Sequence, residues 1–177
     1  MLRFSGFSMC QPPRLDVDEY VAVQVTYGPT DGSGLGWRTG DGNRNLVEFM
    51  FDRNGRTRQI SLIDYDGLVN CCETPLPSRL SSEVSVRPVV SLSLWELGAA
   101  DEPGTKMCEE QSLFNCDCFT NGIRMCFAKN GENAPIWAAS GLVFFGLNEG
   151  LELAAIEIVG MSITSMKTVR NALKKSS

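Results

Sequence analysis

The chain has no histidine among its 177 residues. Without imidazole there can be no Ser-His-Asp or Cys-His catalytic unit and no His-ligated metal site. Long apolar runs are missing too. No stretch reaches the ~18 consecutive apolar residues of a membrane-spanning helix, so no membrane partner is expected. Residues 1–10 hold no apolar run of signal-peptide length, which predicts a cytoplasmic protein. Positive charge is scarce: 16 Lys and Arg stand against 21 Asp and Glu, for a net charge of −5 and a pI near 4.8. Phosphate backbones demand positive surface, so nucleic acid is not expected as a direct ligand.

What is present is a globular composition, 43% hydrophobic and 21% charged. The length predicts a single domain over 1–177 with a real core. The charge is uneven. Residues 161–177 carry Lys167, Arg170, Lys174 and Lys175 and no acid, so residues 1–160 hold 12 basic against 21 acidic residues, a net of −9. An acidic body suits a basic protein partner and speeds the encounter. The plainer reading is that the charge keeps the protein in solution. Seven cysteines are an odd count, against a fully paired secreted framework. Cys116 and Cys118 with Cys126 invite a zinc reading. The spacing is C-x-C and no second close pair faces it, so buried reduced thiols are expected, with no metal or cofactor.

Along the chain the dominant period is two, the signature of half-buried strands. Val21, Val23, Val25 and Tyr27 alternate with smaller or polar residues. Residues 28–45, with six glycines and Pro29, read as a long loop. Residues 46–51 and 57–63 flank Asn54-Gly55, a strong hairpin turn. Residues 64–83 read as turns. Residues 83–97 alternate again, with Val90, Leu92 and Leu94 on one face and Pro88 confining the strand to an edge or a late start. Residues 99–111 read as an acidic connection. Two more hairpins follow, about Asn121-Gly122 and about 148–150. Ser162 then caps a helix whose apolar face is Ile163, Met166, Val169 or Arg170, and Leu173. The expected fold is mainly β (α+β): an antiparallel sandwich or a strongly curved sheet, of about nine strands built as hairpins, with a C-terminal helix. Residues 46–62 echo residues 142–158 at a constant offset of 96, with the turn Asp or Asn and the closing Ile in register. Two similar hairpin units, or convergent turn chemistry, account for the echo.

Candidate chemistry is sparse. Carboxylate pairs for acid–base work are Asp16 with Asp18 and Glu19, Asp64 with Asp66, and Glu109 with Glu110; each lies in or beside a turn, where acids meet water. The glycine-rich stretch lacks the Gly-Lys-Ser/Thr ending of a phosphate cradle. Residues 41–45 lack the sixth-position Gly and the twelfth-position Glu of a calcium loop. Cys118 and Cys126 sit in strands with no base available to activate them. Recognition remains. Trp37 and Arg38, on the glycine-rich stretch, are favoured interface anchors, unless Trp37 folds back onto the sheet. Asp31, Asp41, Asp101, Glu102, Glu109 and Glu110 are expected in loops; converging, they would form a negative surface for a cationic cleft.

In type, a small acidic β-rich chain with no catalytic constellation, carrying the hairpin pattern Phe51-Asp-Arg-Asn-Gly-Arg-x-x-x-Ile60 and its echo ending in Ile156, resembles the immunity proteins of bacterial toxin systems, including contact-dependent growth inhibition. The resemblance implies a non-catalytic protein that binds its cognate toxin domain and blocks the active site. Many such toxins are nucleases with basic grooves. The partner is then a basic toxin domain, and Asp31, Trp37, Arg38, Asp41, Asp101, Glu102, Glu109 and Glu110 are the candidate contact residues. The alternatives are a small-ligand-binding β-barrel, which predicts a large apolar cavity, and a hydrolase with paired carboxylates, which predicts two buried acids facing each other.

Overall fold

A computed structural model describes residues 1–28, 34–40, 45–65, 69–77, 79, 85–95, 105–128 and 131–175. These residues form mainly β structure with one C-terminal helix. The first six-stranded sheet runs, in spatial order, β2 (Arg14–Asp16), β3 (Val23–Thr26), β6 (Thr57–Tyr65), β5 (Asn45–Phe51), β4 (Gly34–Gly40) and β9 (Thr105–Gln111). The second runs β12 (Ile136–Ser140), β13 (Val143–Leu147), β14 (Leu153–Ile158), β11 (Ile123–Cys126), β10 (Asn115–Cys118) and β7 (Asn70–Cys71). A separate antiparallel pair joins β1 (Phe4–Met9) to β8 (Val86–Val90), and α1 (Ile163–Lys175) ends the described chain. Pairing is antiparallel except for β4 with β9 and β7 with β10, which are parallel.

The two echoing segments fold by the same local chemistry. In the β5–β6 turn, Asp52 Oδ1 accepts from the backbone N–H of Asn54 and of Arg56, both at 2.9 Å. In the β13–β14 turn, Asn148 Oδ1 accepts from the N–H of Gly150 and of Glu152, again both at 2.9 Å. A short acceptor side chain thus satisfies two turn donors that the ladder leaves unpaired. The fourth residue of each turn is left-handed: Gly55 at φ +76° and Leu151 at φ +59°. Register agrees as well. Val47 pairs with Leu62 and Phe49 with Ile60; ninety-six residues on, Val143 pairs with Ile158 and Phe145 with Ile156. Each hairpin carries a bulge at the same place, before Phe51 and before Leu147.

The correspondence extends to five strands. In chain order β2, β3, β4, β5 and β6 assemble as β2-β3-β6-β5-β4; β10 to β14 assemble as β10-β11-β14-β13-β12, with every neighbour antiparallel. Asp16 opposite Gln24 corresponds to Asp117 opposite Arg124. Leu35 opposite Phe51 corresponds to Ile136 opposite Leu147. The fold is therefore built from one five-strand unit used twice, with β9 added to the first copy and β7 to the second.

Alternation sets the faces. Val23, Val25, Leu35, Trp37, Val47, Phe49, Ile60 and Leu62 turn inward from the first sheet, and Met125, Val143, Phe145, Ile156 and Ile158 from the second, into one continuous core. Aromatic contacts tie the sheets together: Trp37 to Phe127 at 6.4 Å and Tyr65 to Phe114 at 5.2 Å between ring centroids. The Cys116 N–H donates to the Tyr65 hydroxyl at 3.1 Å, a polar link between the sheets. The helix starts at Ser162, whose Oγ accepts from the Ser165 N–H at 3.0 Å, and it buries Met166, Val169, Ala172 and Leu173 in the core. Ile163, expected on that face, is exposed instead.

Five segments depart from the sequence expectations, the shortest being residues 70–71, read as turns and found as strand β7. Residues 34–40, read as part of a loop, are strand β4. The glycines there serve close approach rather than freedom: a Cβ on Gly34 would lie 2.2 Å from the Phe51 carbonyl oxygen. Residues 105–111, read as an acidic connection, are strand β9, made by parallel pairing with the distant β4. Residues 92–94 are a 3-10 turn rather than strand. The N-terminal residues form β1 and pair with β8. The described strands number fourteen, against about nine expected.

Candidate functional site

The sequence-predicted contact residues divide by location. Asp31, Asp41, Asp101 and Glu102, and also Asp66, lie outside the described residues. Trp37, Arg38, Glu109 and Glu110 come together at the β4–β9 edge of the first sheet. Trp37 is not a loop anchor. It is 2% exposed, packs edge-on against Phe49, and donates from Nε1 to Glu110 Oε2 at 3.3 Å. Arg38 points to the opposite, solvent side. Its Nε meets Glu48 Oε2 at 2.8 Å and its Nη1 meets Glu109 Oε1 at 3.5 Å. Glu109 and Glu110 are strand residues on opposite faces of β9, not loop residues. The Glu109 side chain is 70% exposed, whereas Glu110 binds Trp37 and the ammonium of Met1. No other strand pairs with β9 among the described residues.

The outer face of the second sheet holds a constellation that the sequence reading did not identify. Across the strands, Asp117, Arg124, Glu157, Phe144 and Ala139 stand in one row. Glu157 is fully buried and is the one buried carboxylate among the described residues. It is clamped by two guanidiniums: Arg124 Nε and Nη2 lie 2.8 Å from Oε1, and Arg79 Nε and Nη2 lie 2.5 Å from Oε2 and 3.0 Å from Oε1. The Arg79 Cζ sits 3.4 Å from the Trp137 ring centroid, a close cation–π stack. Opposite Trp137 in the ladder is Gly146, where a Cβ would meet the indole at 2.9 Å; its absence lets the ring lie on the β13 backbone.

Two clefts flank Arg124 and share Glu132. The larger, about 690 Å³, is lined by Arg79, Arg124, Glu132, Asn133, Trp137 and Phe144, with Ala139 and Pro77. The smaller, about 590 Å³, is lined by Asn70, Asn115, Asp117, Arg124, Cys126 and Glu132 with Leu113, Phe127 and Ala128. Asn70 Nδ2 donates to Asp117 Oδ1 at 2.9 Å. Burial, reinforced by the nearby Glu132 carboxylate, pushes the Cys126 thiol up to about 11. Cys126 opens on this outer face, whereas Cys116 and Cys118 point into the core, so the three sulfurs do not converge. No group of three metal-ligating side chains occurs among the described residues.

Of the sequence's carboxylate pairs, Asp64 with Asp66 falls outside the described residues at Asp66, and the others are not brought face to face. Asp16 takes Arg14 Nε at 2.7 Å. Asp18 accepts from the N–H of Val21 and of Tyr20, which hold its carboxyl below the usual range. Glu109 and Glu110 diverge across β9. The space between the sheets is filled by Trp37, Phe49, Phe51 and Phe145. What hid the second-sheet cluster is distance along the chain: Arg79, Arg124, Trp137 and Glu157 span almost eighty residues. The one sequence signal was a glutamate inside an otherwise apolar strand. No helix of the described residues is long and apolar enough to cross a membrane. No protein-family model and no curated protein matches the chain.

Proposed function

We infer that this chain is a non-catalytic, cytoplasmic immunity-type inhibitor that binds a basic toxin domain of nuclease class, with a cationic active-site groove, and blocks that groove by occlusion. One observation supports this reading above the others: β9, an outermost strand, carries the exposed Glu109 carboxylate, with Arg38 between it and Glu48 and paired to both, and its outer backbone row has no partner strand among the described residues. A negative side chain on an open sheet edge suits a cationic surface, and the acidic body steers the encounter. Trp37 has a supporting part in this reading. From the core it holds Glu110 and so fixes the β4–β9 edge.

The test is to read the neighbouring frames for an exoprotein that ends in a small basic domain and to measure binding of that domain across ionic strength. Affinity is expected to fall as salt rises, and Glu109→Lys is expected to slow association several-fold with little change in thermal stability. Affinity that stays flat from low to high salt removes the electrostatic mechanism. Failure of that domain to bind at all removes the inhibitor reading.

A further inference from the structure

We propose that the larger cleft on the outer face of the second sheet is a binding site for a small organic oxyanion, a carboxylate or phosphate ester with a flat or apolar body and a nearby hydrogen-bond donor. Three independent observations carry it. The first is charge. Two guanidiniums stand together in the cleft wall on the buried Glu157 carboxylate, and the cleft's second carboxylate, Glu132, balances the count, so an oxyanion is drawn to the paired guanidiniums rather than to a net charge. Both arginines use Nε and Nη2 on Glu157, and Nη1 of each has no hydrogen-bond partner among the described residues. Glu157 therefore orients two guanidinium edges that remain able to donate, the geometry that recognises carboxylate and phosphate oxygens.

The second observation is shape. The cleft measures about 690 Å³, within the range of small-molecule sites. Ala139 and Phe144 pair across β12 and β13 and give it an apolar floor. The Trp137 indole, stacked under Arg79, gives it an aromatic side. Glu132 and Asn133 stand at the rim, where Glu132 asks a ligand for a hydroxyl or amine.

The third is the comparison of the two five-strand units. Where the second unit places Arg124 opposite Glu157, the first places Gln24 opposite Ser61. The strand unit forms without the charges. Burying an ion cluster carries a desolvation cost that an uncharged pair avoids. The cluster is thus not something the unit needs in order to fold, and the cleft beside it is what distinguishes the second copy.

The experiment titrates the full chain with four probes: inorganic phosphate, benzoate, 3-hydroxybenzoate and ribose 5-phosphate. Calorimetry and tryptophan emission are read together. Trp37 and Trp95 are both 2% exposed, so a change in emission reports Trp137, and it is expected to vanish in Trp137→Phe. At least one carboxylate or phosphate ester is expected to bind at millimolar or better affinity, and a probe with a hydroxyl is expected to bind several-fold tighter than its counterpart without one. The benzoates and the phosphates separate the two oxyanion sources. The double variant Arg124→Gln, Glu157→Ser, which writes the first unit's pair into the second, should weaken binding at least tenfold. Ala139→Glu puts a competing carboxylate on the cleft floor while keeping Arg79, Arg124 and Glu157, and it should do the same even if the double variant fails to fold. No heat and no emission change with any probe up to ~10 mM overturns the proposal. So does undiminished binding by Ala139→Glu.

Discussion

Arg124 and Gln24 hold the same register position in the two copies of the five-strand unit, yet Arg124 lies against a fully buried glutamate and Gln24 opposite a serine. The backbone geometry is shared, so the difference is one of side-chain chemistry on a common frame. A buried carboxylate survives in this setting because two guanidiniums meet it. Each of the three groups is tolerated only in the presence of the others.

That mutual dependence predicts strong non-additivity. Glu157→Gln leaves two partly buried guanidiniums without their counter-charge, and it should cost about 3–5 kcal/mol in chemical denaturation. Arg124→Gln with Glu157→Ser should cost clearly less than the two single changes added together, because the pair is removed whole. Additive losses would show that Arg124 and Glu157 act independently.

The twin turns predict matched sensitivities. Asp52→Ala and Asn148→Ala each remove an acceptor of two backbone donors and should each cost about 1–2 kcal/mol. Asp52→Asn keeps the acceptor and should be nearly neutral. Gly55→Ala should be worse than Asp52→Asn, because φ is +76° there and the new Cβ would lie 2.7 Å from the Val90 carbonyl oxygen. Urea midpoints of the four variants give the order directly.

Trp37 offers a sharp contrast between packing and recognition. Its ring is buried among Phe49 and Phe127, so Trp37→Ala should cost about 3–5 kcal/mol in stability. Thermal melts test this without any partner. A melt equal to wild type would mean that the indole is not part of the core.

Alkaline pH should destabilise the protein. Burial pushes the Cys126 thiol up to about 11 from an ordinary 9.0, and burial also raises the Tyr27 phenol from its ordinary 10.0. Both groups are neutral below their unfolded pKa, where their contribution to stability is fully present. As pH rises past 9 the unfolded thiol ionises first, the unfolded state binds fewer protons than the native one, and stability falls through the window to about 11 and above. Melting temperatures from pH 8 to 11 should decline, and Cys126→Ser should flatten the lower part of that decline.

The contrast between what could and could not be read in advance follows the range of the interactions. The Asn54-Gly55 turn, the hairpin about Asn121-Gly122, the turn at 148–150 and the Ser162 cap are local chemistry, in which a side chain and a backbone a few residues apart decide the outcome. Residues 34–40 and 105–111 read as loop and connection because neither has strong strand character alone. β4 is glycine-rich and β9 is charged; β9 exists as a strand because it pairs with β4 about seventy residues away, and β4 because it is held between β5 and β9. The buried cluster was invisible for the same reason, since its four side chains meet only after β11, β12 and β14 and residue 79 are in place.

By itself, then, the amino-acid order determined the mainly β class, the hairpins, the capped helix, the acidic balance and the exclusion of imidazole chemistry, because composition and short-range periodicity suffice for these. Tertiary structure alone decided that Trp37 is buried, that Glu109 is presented on an outermost strand, and that Glu157 lies between Arg79 and Arg124. Burial and charge pairing depend on which distant segments share a sheet face, and strand register across the folded chain is what brings those segments together.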